Sequence, residues 1–384
     1  MIYLDNSATT RVHEEVVVAM NEYHLNYYGN PSSLHRMGLD AEKAINKARK
    51  QVADFLMVEE KSLFFTSGGT EGNNLAITSA INKNKRLGKQ IITSTIEHPS
   101  VLEVFKNYEN IGYEVVYIRV NEDGFLDLEQ LESEINEETI LVSLMKVNNE
   151  VGSIQDTKKI AEVIRKKAPH CIFHSDCVQA VGKVPVNPVK EGMDILTLSG
   201  HKFHGPKGIG AIYVNKNLAL KPILLGGGQE KGFRSGTENV PAIVGLGVAT
   251  QNLYDSMKNI DRMYKLKSKA IELLQENIEG IRLNSKDNEN YAPHLLNISI
   301  RNVKSEILLH VLGKKDIFVS SGSACSSRKQ SQSHVLQAMH LPKEYIDGAL
   351  RLSFSKYNTV DEVEHTVKEL KVAVNNLREF TRRR

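Results

Sequence analysis

Cysteine is scarce in this chain of 384 residues, which contains only Cys171, Cys177 and Cys325. An odd and sparse set of cysteines argues against a disulfide framework and fits a reducing compartment. The spacing of the three residues resembles no zinc-binding pattern. The sequence therefore predicts neither disulfides nor a metal site.

The chain also lacks long apolar runs and a strong excess of one charge. No run approaches the ~20 residues that span a bilayer, and the N-terminus has no charged start and apolar stretch typical of a signal peptide. The formal net charge is only +3, which gives no electrostatic case for nucleic acid. We expect a cytoplasmic protein that binds neither membranes nor nucleic acids directly.

What the chain does contain is the composition of an ordinary globular protein, 41% hydrophobic and 25% charged, at a length that suits two domains. Short apolar strands alternate with helical stretches over the first two thirds, which predicts a mostly parallel sheet covered on both faces. Residues 241–280 are predicted to be helical, with one long amphipathic run. Residues from 295 onward mix strands and helices, which indicates a smaller α+β unit.

The sharpest motif is the segment 199–210, which follows one predicted strand (195–198) and leads into another (209–214). It combines Lys202 with small residues and glycines, which let a backbone approach a ligand closely. A lysine at a strand end, beside groups that can bind phosphate, suits a Schiff base with a carbonyl cofactor. On residue types alone, a glycine-rich turn with a solvated lysine is an equally good interpretation.

Three further signals also follow predicted strands. The turn at 67–71 could bind an anion at a helix N-terminus, although simple helix capping by Ser67 or Thr70 is the commoner role. Asp176 could keep a pyridine nitrogen protonated or cap the next helix. His98 could stack on a flat ring or move protons, while a lone histidine is more often structural. Together they are stronger, because ligands of such folds bind where parallel strands end.

On these motifs, the sequence resembles the cysteine desulfurases of the class V aminotransferase group, which have the type I fold of enzymes dependent on pyridoxal 5′-phosphate (PLP). The matching segments follow the family's order and are residues 3–10, 29–33, 66–74, 97–98, 147–152, 176–179, 199–210, 234–237, 320–325 and 351–354. The resemblance implies an α/β fold with a large PLP-binding domain, residues 14–255, whose mostly parallel sheet is covered by helices. It implies a smaller α+β domain, residues 1–13 and 256–384, that carries a catalytic-cysteine loop.

The resemblance also implies a role for each matching residue. Lys202 would hold the cofactor covalently, and the other implied cofactor contacts are Gly69, Thr70, His98, Asn149, Asp176, Gln179, Ser199, His201 and, across the interface of a homodimer, Thr237. Asp176 would face the pyridine nitrogen, Gln179 the phenolic oxygen, and His98 the face of the ring. Arg351 would bind the substrate carboxylate through its planar fork, with help from Asn30.

The implied activity is the removal of sulfur from L-cysteine, which leaves L-alanine and a persulfide on Cys325. Lys202 would move the α-proton, and His98 would handle protons at the substrate thiol. The polar stretch 320–333 around Cys325 predicts a mobile loop, in which Arg328 and Lys329 would favour the thiolate. The sulfur would pass to an acceptor protein, in iron–sulfur cluster assembly or in thiolation of tRNA or a cofactor, and the sequence does not choose between these pathways.

Three alternatives compete with this interpretation. A selenocysteine lyase could use the same scaffold and the same residues, so the sequence leaves it open. An aminotransferase needs no cysteine at position 325, so the presence of Cys325 argues against that alternative. A nucleotide-binding module is disfavoured because the glycines of residues 205–210 are not in the G-x-G-x-x-G order and lead into a strand rather than a helix.

Overall fold

The chain has a mixed α/β fold, described by a computed structural model over residues 1–321 and 332–382. In this part of the chain the strands are β1 (Ile2–Tyr3), β2 (Leu63–Thr66), β3 (Gln90–Ser94), β4 (Glu114–Ile118), β5 (Thr139–Ser143), β6 (Ile172–Asp176), β7 (Ile195–Ser199), β8 (Gly210–Val214), β9 (Ile281–Leu283), β10 (Leu295–Ile300), β11 (Ile317–Phe318) and β12 (Ala349–Ser353). The α-helices of the same residues are α1 (Glu14–Leu25), α2 (Arg36–Leu56), α3 (Gly69–Asn84), α4 (Pro99–Asn110), α5 (Leu128–Glu134), α6 (Thr157–Lys167), α7 (Val240–Gln251), α8 (Leu253–Lys258), α9 (Ile260–Asn277), α10 (Ser305–Gly313), α11 (His334–Ala338), α12 (Lys343–Asp347) and α13 (Val360–Arg382). None of the described helices is both long and apolar enough to cross a membrane.

The central sheet has the strand order β2-β8-β7-β6-β5-β3-β4. Strands β4, β3, β5, β6 and β7 run parallel to their neighbours, whereas β8 is antiparallel to both β7 and β2. Every residue of β3, β5, β6, β7 and β8 is buried, as expected for apolar strands with both faces covered. The prediction of a mostly parallel sheet is confirmed.

Helices cover both faces of this sheet, because successive strand residues point to opposite sides. On one face, Ile91 and Ile195 belong to a buried cluster with residues of α3 and α4. On the other face, the adjacent residues Ile92 and Leu196 pack in a cluster with α2, α6 and α7. Because β3, β6 and β7 run in the same direction within the sheet, their carboxyl ends lie at one edge of it.

A second hydrophobic cluster lies outside the central sheet. It contains Leu4 and buried residues between positions 266 and 374, drawn largely from α9, α10, α13 and the antiparallel sheet β12-β10-β9. The first residues of the chain join it because β1 pairs in parallel with β11. This cluster supports the predicted division of the chain into a large domain, residues 14–255, and a small domain, residues 1–13 and 256–384. We retain these boundaries as a proposal.

Residues 241–280 are mostly helical and contain one long amphipathic run, as the sequence predicts. The region contains three helices, α7, α8 and α9, separated at Asn252 and Asn259. The side chain of Asn259 donates to the backbone carbonyl of Asp255 at 2.8 Å, and asparagine side chains that bond local backbone in this way compete with a continuous helix. Only Ile260–Asn277 forms a long amphipathic helix.

A buried ion pair fixes the loop that precedes α7. Arg49 on α2 donates to both carboxylate oxygens of Glu230, at 2.8 and 2.7 Å, and Glu230 also accepts the backbone N–H of Phe65 at 2.8 Å. Both side chains of the ion pair are almost fully buried. Removing either partner would leave an uncompensated charge in the interior.

We therefore expect Glu230→Ala to lower the free energy of unfolding by about 3–5 kcal/mol, the usual cost of breaking a buried pair from one side. Denaturant titration measures this effect. The matched control is Glu103→Ala, which removes the partner of Lys106 from an exposed pair and should change stability by less than about 0.5 kcal/mol. Equal effects of the two variants would contradict the role assigned to the buried pair.

Candidate active site

A cavity of about 1130 Å³ opens at the edge of the central sheet where β3, β6 and β7 end. It brings together most of the site residues that the sequence predicts, which are Gly69, Thr70, His98, Asn149, Asp176, Gln179, Ser199, His201, Lys202 and Arg351. Asn30 and Thr237 are exposed and do not line the cavity. Cys325 lies outside the described residues, but Ser321 and Gln332, on either side of the undescribed segment, both line the cavity. The roles of Asn30, Thr237 and Cys325 stay predictions.

Lys202 reaches the cavity from a short 3₁₀ turn, Gly200–Lys202, directly after β7. Its Nζ donates to the backbone carbonyls of Ser7 at 2.7 Å and Ala8 at 2.9 Å. The preceding residue, His201, contacts Thr9 Oγ1 through Nδ1 at 3.2 Å. The N-terminal segment therefore lies beside the turn that follows β7 and holds the lysine at the site.

The start of α3 forms a cradle for an anion. The N-cap residue is Gly68, whose φ of 153° is a conformation that favours glycine, and no side chain caps the helix there. Capping by Ser67 or Thr70 is therefore wrong, and the first N–H groups of the helix remain available. A Cβ on Gly69 would lie 2.9 Å from Val178 Cγ2, so only glycine fits without displacing the floor of the cradle.

His201 lines the same cavity as a neutral group. Burial, together with the charges of Lys202 and Lys207, lowers the pKa of His201 to about 4. A neutral imidazole has one N–H to donate. Such a donor, beside a helix N-terminus, suits a phosphate oxygen.

Asp176 ends β6 and is held through both of its carboxylate oxygens. Oδ2 accepts from Asn73 Nδ2 at 2.7 Å, and Oδ1 accepts from the backbone N–H of Val178 at 2.9 Å. The residues after it form turns rather than a helix, so the alternative of a helix cap is wrong. Two fixed donors aim the carboxylate, as a partner for a protonated ring nitrogen requires.

Gln179 is oriented by its surroundings. Its Nε2 donates to the carbonyl of Ser7 at 2.9 Å, and its Oε1 lies 3.3 Å from Nε2 of the buried His294. A backbone carbonyl only accepts, so the amide nitrogen must be the atom that faces Ser7. The second hydrogen of that nitrogen remains available for a ligand oxygen.

His98 is the N-cap of α4, and its Nδ1 accepts the backbone N–H of Ser100 at 3.1 Å. Burial lowers the pKa of His98, and the charges of Lys202 and His334 lower it further, against the opposing effect of Asp176. His98 is therefore an uncharged ring on the wall of the cavity. An uncharged, flat ring can stack on an aromatic cofactor.

Arg351 on β12 projects into the far side of the cavity. It forms an ion pair with Asp5 at 2.9 Å and donates to the carbonyl of Asn149 at 2.9 Å. Its Nε is buried and has no hydrogen-bond partner among the described residues. The guanidinium thus keeps an unused N–H for an anionic ligand.

The residues present fit the cofactor that the sequence predicts. Four cavity-lining residues of the described chain have a buried polar atom without a partner, and these atoms are Ser7 Oγ, Asn73 Oδ1, Asn149 Oδ1 and Arg351 Nε. Buried polar atoms are rarely left unpaired, so their concentration here indicates a polar ligand. A lysine, a helix N-terminus and an aimed carboxylate are the groups that an aldehyde, a phosphate and a pyridine ring require.

The sequence interpretation assigned no role to several residues that shape this site. Asp5 bonds Arg351, Asn73 bonds Asp176, and Ser100 bonds His98. His334 contacts the backbone carbonyl of Glu97. Asn73 had a usable signal, because it lies four residues after Gly69 and therefore on the same face of α3. The pairing of Asp5 with Arg351 joins the two ends of the chain and has no local signal.

Glu97 is a fully buried carboxyl beside the site. Its Oε1 accepts from Ser94 Oγ at 2.7 Å and from the backbone N–H of Met145 at 2.9 Å, while Oε2 has no partner among the described residues. Burial raises the pKa of Glu97 from 4.5 to about 8, against the opposing effect of these two hydrogen bonds. The folded protein therefore holds a proton here that the unfolded chain releases near its ordinary pKa.

This difference predicts a pH dependence of stability. Between about pH 4.5 and pH 8 the folded state binds the extra proton, so the contribution of Glu97 to stability is complete below this window and is lost as the pH rises through it. Glu97→Gln, which keeps the acceptor at Oε1 and cannot ionise, should gain stability relative to the wild type as the pH rises. Urea titrations at several pH values measure the difference, and parallel curves for the two proteins would contradict it.

Comparison with known proteins gives consistent matches over almost the whole chain. The family model described as aminotransferase class-V matches residues 2–366. A cysteine desulfurase IscS of Methanosarcina thermophila is 43% identical over 381 residues, which cover 99% of this chain and 93% of that protein. A solved structure of a NifS-like protein has a TM-score of 0.92 at 37% identity and covers 98% of this chain and 99% of its own. A structure of SspA in complex with cysteine has a TM-score of 0.81 at 31% identity, covering 94% of this chain and 100% of its own.

Proposed function

Given that this chain belongs to the class-V aminotransferase family and is a PLP-dependent cysteine desulfurase, we propose that it leaves the sulfur of L-cysteine on Cys325 and releases L-alanine. The observation that carries this assignment of roles is the cavity. It gathers around Lys202 every predicted site residue that the structure describes, except Asn30 and Thr237.

Three sets of residues would hold the cofactor: one at its phosphate, one at the polar atoms of its ring and one at the face of the ring. Gly69, Thr70, Ser199 and His201 would bind the phosphate, Asp176 and Gln179 the ring nitrogen and the phenolic oxygen, and His98 the ring face. When bound, PLP withdraws electrons from the substrate and thereby makes the bond between the β-carbon and sulfur breakable. The protein supplies binding, orientation and the movement of protons.

Lys202 would hold the cofactor covalently and, once released by the substrate, move the proton of the α-carbon. The carbonyls of Ser7 and Ala8, at 2.7 and 2.9 Å from its Nζ, supply acceptors for the freed amine. They keep it at the cavity rather than in solvent. This confinement places the amine for repeated proton transfer.

Arg351 would bind the substrate carboxylate. Its unused Nε–H and its planar fork suit a carboxylate, and the existing ion pair with Asp5 holds the guanidinium in place. Asn30 belongs to this proposal only through the sequence, since the structure leaves it exposed with its Oδ1 accepting from the backbone of Ser32 at 2.9 Å.

The sulfur step requires a thiolate, which we assign to Cys325. The thiolate attacks the substrate sulfur, a sulfur–sulfur bond forms, and the electrons of the carbon–sulfur bond pass to the carbon fragment, which becomes alanine after protonation. No external oxidant is needed, because L-cysteine and a thiol become L-alanine and a persulfide. Ser321 and Gln332 line the cavity, which supports the approach of the intervening segment to the substrate.

The assay for this function is the incubation of PLP-loaded protein with L-cysteine. We expect L-alanine and, in the presence of a reductant, an equal amount of sulfide. In a second incubation, with L-alanine and a 2-oxo acid, the formation of pyruvate by transfer of the amino group would indicate an aminotransferase instead. Selenocysteine lyase is the alternative on the same scaffold; the names of the relatives favour cysteine, and a kcat/KM far higher for selenocysteine would reverse that order.

We also propose a homodimer in which Thr237 reaches the cofactor phosphate of the other subunit. Arg234 forms an ion pair with Glu71 in the first turn of α3 at 2.7 Å, and Thr237 is exposed, so its hydroxyl is accessible to another subunit. Large apolar side chains are exposed on the same molecule, including Leu34 at 106% and Leu225 at 82%. These side chains are candidates for burial in an interface between two copies of the chain.

Sedimentation equilibrium should give twice the chain mass of 43.0 kDa. Thr237→Ala should weaken PLP retention without changing the mass, because it removes one contact to the phosphate. A stable and fully active monomer would overturn the proposal of a shared site.

The destination of the sulfur also belongs to the proposal. An acceptor protein in iron–sulfur cluster assembly or in thiolation of tRNA or a cofactor would take the persulfide sulfur. A cytoplasmic location is supported by the three cysteines, of which the two described ones are unpaired.

A further inference from the structure

Two buried polar side chains, Asn73 and Ser100, lie behind the residues that face the cofactor position. Asn73 donates both hydrogens of its amide, one to Asp176 Oδ2 at 2.7 Å and the other to Ser100 Oγ at 2.9 Å. The carboxylate only accepts, so the amide nitrogen must point toward it. Asn73 Oδ1 is left buried without a partner among the described residues, which shows that the two donor bonds decide the orientation of the amide.

Ser100 passes this orientation on to His98. Its Oγ lies 2.8 Å from His98 Nδ1, and its backbone N–H donates to the same nitrogen at 3.1 Å. Because Nδ1 accepts this backbone N–H, the Ser100 hydroxyl can bond Nδ1 only by donating its hydrogen to it, while its lone pairs accept from Asn73. A nitrogen that accepts two hydrogen bonds carries no proton, so the proton of the neutral ring is on Nε2.

We propose that Asn73 and Ser100 are positioning residues that connect Asp176 to His98 and fix His98 as the Nε2–H tautomer. The inference rests on the proposed function, in which His98 faces the cofactor and the substrate. Among the residues that the structure describes, Nε2 has no hydrogen-bond partner. His98 therefore offers the cavity an N–H donor at Nε2 rather than a lone pair, so a substrate group that meets this nitrogen would receive a hydrogen bond from it and could not give its proton to it.

Asn73 and Ser100 differ from buried polar side chains whose only hydrogen bonds are to backbone carbonyls. Asn84, at the other end of α3, is also buried, but its amide donates to the carbonyls of Ile140 and His170. Ser79, in the middle of α3, donates to the carbonyl of Lys221 at 3.0 Å. Asn84→Ala and Ser79→Ala are therefore matched controls that remove a buried amide or hydroxyl away from the site.

Nitrogen-15 NMR of the PLP-loaded protein tests the tautomer directly. The protein is labelled at histidine, and since the chain has 13 histidines, the His98 signals are assigned by their loss in His98→Gln. The wild type should show an unprotonated Nδ1 and a protonated Nε2. Ser100→Ala and Asn73→Ala should move the two nitrogen shifts toward each other as the tautomers mix, whereas the Ser79 and Asn84 controls should leave both unchanged.

The same variants have a kinetic signature. Ser100→Ala and Asn73→Ala should lower kcat for L-alanine formation by about 10- to 100-fold, the range typical of a misplaced catalytic group, with KM for L-cysteine unchanged. The two controls should retain the wild-type kcat. A fall in kcat of the same size in the controls would show that loss of any buried polar group suffices, and would overturn the proposal.

A proton on Nδ1 in the wild type would also overturn the proposal, and this result needs no variant except His98→Gln, which serves only to assign the signals. Unchanged shifts in Ser100→Ala would overturn it as well, since that variant removes a single oxygen. The NMR result does not depend on sulfur transfer. If no L-alanine is formed at all, the proposed function fails while the tautomer measurement still decides the role of Asn73 and Ser100.

Discussion

Lys202→Ala is expected to abolish the covalent attachment of PLP and to reduce L-alanine formation by at least ~10²–10⁴-fold, the range that a positioned proton-transfer group contributes. The loss should exceed that range if covalent attachment also matters for holding the cofactor. The structure supports this expectation because Lys202 Nζ lies inside the cavity, bonded to the carbonyls of Ser7 and Ala8. Borohydride reduction of the loaded protein, followed by peptide mapping, identifies the attached lysine.

Two other lysines make this test specific. Lys207 lies five residues further along but is exposed, so Lys207→Ala should keep the covalent label and most activity. Lys183 is buried, and burial together with the charge of Lys202 lowers its pKa to about 7. It does not line the cavity. A borohydride label on Lys183 or Lys207 in the wild type would contradict the assignment of Lys202.

The residues that could be predicted from the sequence share one property, which is that each lies at or shortly after the end of a strand. Lys202 and His98 come shortly after β7 and β3, and Asp176 is the last residue of β6; the carboxyl ends of parallel strands lie at a common edge. Recognition of the strands was therefore enough to place these side chains together. The resemblance to a family added Arg351, which lies on β12 of a different sheet and could not be placed by strand alternation.

The contacts that aim these residues could not be predicted in the same way. Asp5 reaches Arg351 because β1 pairs with β11 and Asp5 itself pairs with Ser353 of β12, and these pairings join residues far apart in the chain. Ser100 follows His98 closely in sequence, but its bond to Nδ1 depends on the backbone at the start of α4. Such bonds depend on tertiary geometry, which residue patterns along the chain do not predict.

The three cysteines have different chemical prospects. Cys171 and Cys177 are buried among hydrophobic residues, as expected from their small apolar character. Burial raises the pKa of both thiols far above the ordinary value. Neither is a thiolate at neutral pH, and the thiolate is the nucleophilic form. Cys325, which lies outside the described residues, is the remaining candidate for the attack on the substrate sulfur.

Cys325→Ala is therefore expected to bind PLP and L-cysteine but to form almost no L-alanine and no protein persulfide. Binding should persist because the groups that would hold the cofactor and the substrate, Lys202 and Arg351 among them, are elsewhere in the chain. The absorbance change on addition of L-cysteine measures binding. Intact-mass and peptide mass spectrometry after incubation with L-cysteine locates the added sulfur.

Cys171→Ala and Cys177→Ala are the matched controls, and both should keep most of the activity. Each removes one buried sulfur, so we expect a modest loss of stability of about 1 kcal/mol rather than a loss of chemistry. The wild type should carry its extra sulfur on the peptide that contains Cys325. If that sulfur appears on Cys171 or Cys177 and Cys325→Ala is fully active, the persulfide must form by another route, because a buried and protonated thiol cannot perform the attack proposed here without a local opening of the sheet.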